Sequence, residues 1–255
     1  MTISTVERAW RRAGFWRRVL AFVIDMAVML IPLQVVVAVL FAQTNGAVQG
    51  SYGLVFNSCQ KLSQLPEGLQ PVLKLDFNSI VECRSSFFGF ETARTVTVSK
   101  VNQTGSSATA VFETHALGAD GRPRKAFDTG WIALFLFFGY LVLFECRSGA
   151  AVGKRATGVR VIESARPDSI GIPARKAIGR YIAMWVGAVP AAAVMLVALG
   201  SSAPAELATN NAFWTAFAVA GIIELAWFIW IIVSISRKRD PIYDRIAGTI
   251  TIRTS

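Results

Sequence analysis

Charged side chains are scarce in this sequence of 255 residues, since Asp, Glu, Lys and Arg together make up 16% of it. Soluble domains carry about 25% charged residues, so the composition excludes an ordinary soluble domain. Histidine occurs once and cysteine three times, which argues against a transition-metal site with several side-chain ligands and against catalysis built on several histidines. Apolar residues are abundant instead, at 53%, and the mean hydropathy is +0.48. This combination predicts a membrane protein that has no metal and no cofactor.

Four apolar segments approach the length that a helix needs to cross a hydrocarbon core of about 30 Å. They are residues 15–42, 131–144, 178–199 and 213–235. The second segment is short and requires flanking residues or a locally thinned bilayer. The sequence therefore predicts an α-helical polytopic membrane protein with a tail over 1–14, a first helix over 15–42, an insert over 43–128 and three further helices over 129–255.

Lysine and arginine are distributed unevenly around these segments. Five lie over 8–18, eight over 147–180 and five over 237–253, whereas the connection over 200–212 has none. Because cytoplasmic loops are enriched in these residues, both termini are predicted to be cytoplasmic and the insert to lie outside a bacterial inner membrane. Contact with anionic membrane lipid, and not with nucleic acid, then explains the net charge of +10.

The insert alternates apolar and polar side chains, which predicts a small β-rich extracytoplasmic domain. The alternating stretches are 72–77, 95–101 and 109–114, with turn signals at 105–107 and 119–123. Cys59 and Cys83 both lie in the insert, on the oxidising side of the membrane, whereas Cys146 lies on the cytoplasmic side. We expect a Cys59–Cys83 disulfide, which would stabilise a domain with little core by about 3 kcal/mol. Two free thiols are the alternative.

The two halves of the chain resemble each other when the insert is left out. Arg18 opens the first helix in RVLAFVID, and Arg180 opens the third helix in RYIAMWVG. A basic turn, a glycine and an alternating segment follow both the second and the fourth helix, at 158–163 and 248–253. Two equivalent strands related by a twofold axis along the membrane normal run in opposite directions. We therefore predict that they pair as a short antiparallel ladder on the cytoplasmic side and join two repeated helical hairpins.

Four ionisable residues near the ends of the predicted helices require partners, because an unpaired charge inside a membrane is costly. Asp25 lies about ten residues into the first helix, seven residues after Arg18, which is about 10 Å along the axis. We expect Asp25 to pair with Arg180, or else with Arg18, and Asp244 to pair with Arg18. Such a cluster either handles an ion or proton or locks the two hairpins together, and the sequence leaves both interpretations open.

Further ionisable residues lie in or beside the predicted helices. Glu224 is near the middle of the fourth segment, where it is either a proton carrier or a hydrogen-bonding group between helices. Glu145 and Arg147, at the inner end of the second helix, are interpreted as interface anchors. Three cations of the following loop are predicted to contact lipid headgroups or a partner protein: Lys154, Arg155 and Arg160.

Three segments together resemble the RDD family of bacterial membrane proteins: GFWRRVLAFVID over 14–25, GKRATGVRV over 153–161 and YDRIAGT over 243–249. That family is named for one arginine and two aspartates, which by position are Arg18, Asp25 and Asp244. Arg180 matches an arginine often found before the third helix. The resemblance covers 11–41 and 131–253, within an RDD-like core of 11–42 plus 129–255. The long insert departs from the family's usual short connection.

The resemblance implies a multi-helix membrane protein for which transport has been proposed. A first function is a small transporter or an ion- or proton-coupled carrier that uses Asp25, Glu224 and the arginines. Four helices enclose little volume, so this function implies a homo-oligomer. The alternative is a non-catalytic partner or assembly subunit that binds other proteins through its outer domain and basic cytoplasmic face. An enzyme is not expected, because the sequence has no evident nucleophile–base or metal constellation.

Overall fold

The computed structural model describes residues 11–70, 77–104, 107–200 and 210–254. The chain forms two compact units, of which one comprises Met1–Asp25 with Gly139–Ser255 and the other comprises Met26–Phe138. The N-terminal tail up to residue 10, the alternating residues 72–76, two residues of the turn at 105–107 and most of the connection over 200–212 lie outside the described residues.

The described helices are α1 (Phe15–Gln43), α2 (Gly130–Ser148), α3 (Val152–Ala156), α4 (Ala174–Met184), α5 (Val189–Leu199), α6 (Asn211–Ser236) and α7 (Ile242–Ala247). The described strands are β1 (Val48–Gln49), β2 (Phe56–Lys61), β3 (Ser79–Phe87), β4 (Phe90–Thr104), β5 (Ser107–Ala116), β6 (Phe127–Asp128), β7 (Val159–Glu163) and β8 (Thr249–Arg253).

Three helices, α1, α2 and α6, are each long and apolar enough to cross a membrane. The second predicted segment was short at 131–144, but α2 continues to Ser148 and has 19 residues. At 1.5 Å per residue this gives about 28 Å, close to the thickness of the hydrocarbon core. The described part of the chain therefore contains three apolar helices of spanning length, or four if α4 and α5 together form one bent span, as in a membrane protein.

The third predicted segment is not one continuous helix, as was expected over 178–199. It breaks into α4 and α5, which are joined by a tight 3₁₀ turn over Val186–Ala188, with a bend of 43°. Pro190 lies in the first turn of α5, and a proline at this position cannot donate the backbone hydrogen bond that would continue α4. Gly187 faces Trp227 so closely that a Cβ atom would lie 2.4 Å from it. The Trp227 indole donates to the Met184 carbonyl at 3.1 Å, so an end carbonyl of α4 is satisfied by α6.

The insert contains a four-stranded antiparallel sheet in the order β2-β3-β4-β5. The strands predicted over 95–101 and 109–114 are confirmed within β4 and β5. Val96 and Val98 are fully buried and pack with Leu117 and Leu69, as the alternation of β4 requires. Cys59 and Cys83 lie opposite each other on β2 and β3 and form the predicted disulfide.

The predicted antiparallel ladder between the two alternating segments is confirmed. Strand β7 pairs with β8, with Val161 opposite Thr251 at the centre. Each strand follows a short helix and a glycine, Gly158 with φ of +64° and Gly248 with φ of +62°. Glycine adopts this left-handed conformation without the steric cost that a Cβ atom adds, so it can reverse the chain between helix and strand. Both segments thus share one local form, while the larger repeat of the hairpins stays a prediction.

Candidate functional site

A network of buried charges lies in the unit formed by the N-terminal and C-terminal parts of the chain. Its carboxylates belong to Asp25, Glu145 and Asp244, all of which are fully buried. Its cations are Arg18, Lys154 and Arg180, whose side chains are 11%, 14% and 6% exposed. Burying a charge is tolerated only where opposite charges and hydrogen bonds compensate for the lost water. Three negative and three positive groups balance here, and we refer to these six residues as the charge network.

Asp244 is the acceptor at one end of the charge network. Its Oδ1 accepts from Arg180 Nε at 2.5 Å, and its Oδ2 accepts from Arg18 Nη1 at 3.1 Å. The hydroxyl groups of Thr249 and Thr251, both on β8, also donate to this carboxylate at 3.3 and 3.0 Å. The strand that follows α7 therefore supplies the remaining donors. The predicted pairing of Asp244 with Arg18 is confirmed.

Arg180 connects the two buried carboxylates of α2 and α7. Besides the bond to Asp244, its Nη1 donates to Glu145 Oε1 at 2.8 Å and its Nη2 donates to the Thr251 hydroxyl at 3.1 Å. The planar guanidinium presents donors in fixed directions, so it bridges several acceptors that a single ammonium group cannot reach together. Arg180 thereby joins α4, α2, α7 and β8 through one side chain.

Glu145 is the centre of the network, and its interpretation as an interface anchor was wrong. Its Oε1 accepts from Arg180, from the Tyr181 hydroxyl at 2.6 Å and from the ammonium group of Lys154. Its Oε2 is buried and has no hydrogen-bond partner among the described residues. A carboxylate oxygen that is buried without a donor is unusual in a folded protein.

Asp25 is held by neutral donors, so the expected pairing with Arg180 or Arg18 was wrong. Its Oδ1 accepts from the Tyr140 hydroxyl at 2.9 Å and from the Gly153 backbone N–H at 2.7 Å. The Tyr140 oxygen in turn accepts from the Val152 N–H at 3.1 Å. The second oxygen of Asp25, Oδ2, is buried without a hydrogen-bond partner in the described part of the chain. The two aspartates therefore have different environments.

Gly153 allows this arrangement because α3 approaches the backbone of α1. A Cβ atom at this position would lie 2.0 Å from the Ala21 carbonyl oxygen, which no side chain can occupy. The absence of a side chain lets the N–H of Gly153 reach Asp25 and places Lys154, the next residue, beside Glu145. The glycine that precedes the basic turn thus has a steric role.

Lys154 was predicted to contact lipid headgroups or a partner protein, but the structure places its side chain in the charge network, where it is 14% exposed. Its ammonium group donates to Glu145 and lies 3.4 Å from the Tyr181 hydroxyl. Burial lowers the pKa of this amine from its ordinary value of 10.5, although the nearby Glu145 carboxylate opposes the change. Loss of water outweighs the ion pair because the ammonium form is the one that burial destabilises. Lys154 belongs to the short helix α3 and not to an apolar helix of spanning length. It therefore releases its proton more readily than an exposed lysine does.

The remaining predicted residues lie away from the charge network. Arg155 is exposed, and its guanidinium donates to the Ser148 hydroxyl at 2.6 Å and to the Ala150 carbonyl at 3.2 Å. Arg160 is partly buried on β7. Glu224 is partly buried on α6 and has neither an ion pair nor a hydrogen bond to the residues described here. No group of three or more His, Cys, Asp or Glu residues in the described ranges could hold a metal ion.

Tyr140, Tyr181 and Thr251 are members of the site that the sequence analysis missed. All three supply neutral hydroxyl groups, which a pattern of opposite charges in the sequence does not reveal. A signal was present, since Tyr140 is a polar group within an otherwise apolar predicted helix and Tyr181 directly follows Arg180.

Comparison with known proteins agrees with the architecture. The model of the RDD family matches residues 86–248, which is more than half of the chain. That range contains Glu145, Lys154, Arg180 and Asp244, whereas Arg18 and Asp25 precede it. No curated protein and no solved structure matches the sequence. On the extent of the family match, and in agreement with its apolar helices, the chain belongs to the RDD family.

Proposed function

We propose that this protein is a small membrane carrier coupled to proton movement, and that the charge network holds the exchangeable proton. One observation carries the proposal: two buried carboxylates, Asp25 and Glu145, each keep an oxygen without a hydrogen-bond partner among the described residues. A network with a purely structural role would satisfy these oxygens, because each unsatisfied buried group reduces stability. Unused acceptors beside a buried amine instead suit a site that gains and loses a cation.

Lys154 is the proposed exchanging group. With its amine protonated, the six residues balance at three charges of each sign; after deprotonation the network carries one net negative charge. An incoming monovalent cation then restores the balance, so release of one proton accompanies binding of one cation. Asp25 and Glu145 do not by themselves form a metal site, but their unpaired oxygens are of the kind that hard cations prefer as contacts. The protein is thus proposed to act as a carrier and not as an enzyme.

Transport in proteoliposomes tests this function. Asp25→Asn is expected to abolish cation-dependent proton flux, because the amide cannot supply a second anionic oxygen to the site. Asp240→Asn is the matched control, since Asp240 pairs with Arg12 at 2.8 and 2.5 Å and lies outside the charge network. Size-exclusion profiles of both variants report folding. Wild-type flux in folded Asp25→Asn protein, or no flux in the wild type, would contradict the proposal.

A second candidate function is a non-catalytic subunit that binds anionic lipid or a partner through its basic face. A cavity of about 260 Å³ at the end of α6 favours it. Trp230 lines this cavity together with three arginines that have no ion pair among the described residues: Arg237, Arg239 and Arg245. The second function gives no role to the unpaired oxygens of Asp25 and Glu145, so we prefer the first. We extend it with the proposal of a homo-oligomer in which Glu224 meets a second copy of the chain.

A further inference from the structure

The loop between β1 and β2 runs back along α1 toward the middle of that helix. The buried Gln34 side chain donates from Nε2 to the Gly50 carbonyl at 3.1 Å. Three residues later, Gly53 lies beside Leu30, since a Cβ atom on Gly53 would be 3.5 Å from the Leu30 Cβ, an ordinary van der Waals distance. The loop therefore descends along α1 from Gln34 to Leu30 as the chain advances from Gly50 to Gly53.

The loop begins beside the first turn of α2, which indicates its position relative to the membrane interface. Thr129 donates from its N–H and from its hydroxyl to the Gln49 carbonyl at 2.8 and 3.0 Å, so Gln49 and Gly50 lie beside the first residue before α2. Trp131, in the first turn of α2, is 54% exposed, as is typical of tryptophan at a membrane interface. Leu30 precedes Gln34 by four residues in α1, which at 1.5 Å per residue separates the two by about 6 Å along the helix axis.

The end of the sheet next to this loop is apolar and exposed. Phe56, the first residue of β2, is 70% exposed and pairs with Ser86, beside the turn that joins β3 to β4. Phe88 in that turn is 71% exposed, and Phe90, the first residue of β4, is 70% exposed. Leu54, in the loop itself, is 65% exposed. We refer to Leu54, Phe56, Phe88 and Phe90 as the aromatic tip.

The conformation of the turn provides a second observation. Phe87 pairs with Phe90, so Phe88 and Gly89 form a two-residue hairpin turn, with φ of +48° and +89°. Hairpin turns with positive φ at both positions favour Asn-Gly or Asp-Gly, because a bulky side chain is unfavourable there. The Phe88 ring packs edge-on against Phe87, with a centroid distance of 4.7 Å, but it remains 71% exposed, so most of its surface is open to a contact outside the chain.

We propose that the aromatic tip inserts into the lipid of the adjacent leaflet. The tip contacts the acyl region of the bilayer, because it continues from a loop that lies against the apolar part of α1. In the same unit, Leu134 and Phe135 of α2 are also exposed, at 67% and 66%, as lipid-facing side chains are. Insertion removes four apolar side chains from water. It also attaches the sheet to the membrane at a point other than α1 and α2, the helices that precede and follow the insert in the chain.

Spin labelling in lipid nanodiscs tests the insertion. Phe88→Cys and Phe90→Cys are made separately in a Cys146→Ser background, which leaves the Cys59–Cys83 disulfide as the only native cysteines, and each is labelled with a nitroxide. Lys61→Cys is the matched control, since Lys61 is exposed at the opposite end of β2. Both tip labels are expected to collide more with oxygen than with a water-soluble nickel chelate, at a depth of about 5–10 Å, and the control label is expected to show the reverse.

An intact disulfide, measured by mass under non-reducing conditions, shows that each labelled sheet has folded. The proposal is overturned if either tip label collides with the nickel chelate as freely as the label at position 61 does. Low collision with both reagents would indicate contact with protein, from a second copy or another chain, and would overturn it equally.

Discussion

Arg180→Gln is expected to reduce the free energy of unfolding by about 3–5 kcal/mol, which is the cost of breaking a buried ion pair. The guanidinium of Arg180 donates to Asp244 at 2.5 Å and to Glu145 at 2.8 Å. Its removal leaves two buried carboxylates with fewer donors, and the charge network then has three negative charges against two positive ones. Thermal and denaturant unfolding in detergent measures the loss.

Arg175→Gln is the matched control for this substitution, because Arg175 lies on the same helix and is exposed. A surface change of this kind is expected to alter the free energy of unfolding by no more than about 0.5 kcal/mol. Arg180→Lys retains the charge but offers one compact donor group, so we expect an intermediate stability. Equal unfolding curves for Arg180→Gln and Arg175→Gln would show that the network does not hold the fold together.

Lys154→Arg is expected to reduce proton-coupled flux strongly at every pH below 10.5 while preserving the fold. In the wild type the pKa of Lys154 is lowered by burial from 10.5, so the neutral amine forms as the pH rises through that lowered pKa, before an exposed lysine would deprotonate. Flux should therefore increase with pH in the range below 10.5. Arginine has a reference pKa about two units above that of lysine, so its neutral fraction is about 100-fold smaller at any given pH in this range.

The control for this experiment is Lys176→Arg. Lys176 donates to Glu163 at 2.7 Å and its side chain is 19% exposed, so the pair resembles Lys154–Glu145 in chemistry but lies outside the network. We expect its flux to keep the wild-type pH profile in proteoliposomes. A wild-type profile in Lys154→Arg would assign the exchangeable proton to another group.

Features set by local pattern or by the membrane constraint could be predicted from the sequence. The β7–β8 ladder followed from two alternating segments whose backbone groups needed partners, and the disulfide followed from two cysteines on the same side of a membrane. The pairing of Arg18 with Asp244 followed from the high cost of unpaired charge near a membrane.

Features that depend on neutral groups or on close packing could not be predicted. Asp25 accepts hydrogen bonds from a tyrosine hydroxyl and a backbone N–H, which the positions of opposite charges in the sequence do not indicate. Arg180 therefore pairs with Asp244 and Glu145 and not with Asp25. Strand β2 could not be predicted because all six of its residues are exposed. Its sequence therefore has no alternation of apolar and polar side chains that would indicate a strand with one buried face. The bend between α4 and α5 depends on Trp227, whose approach to Gly187 requires the tertiary structure.

The ionisation of Lys154 in lipid nanodiscs is the measurement that tests the proposed proton-exchange site most directly. The chain has seven lysines, and their side-chain NMR signals can be titrated together, with the spectrum of Lys154→Arg identifying the signal of Lys154. The account predicts that this one signal titrates with a midpoint below 10.5, because burial lowers its pKa. If the Lys154 signal titrates at or above 10.5, as an exposed or simply ion-paired lysine does, the charge network is a structural element and the proposed carrier function is wrong.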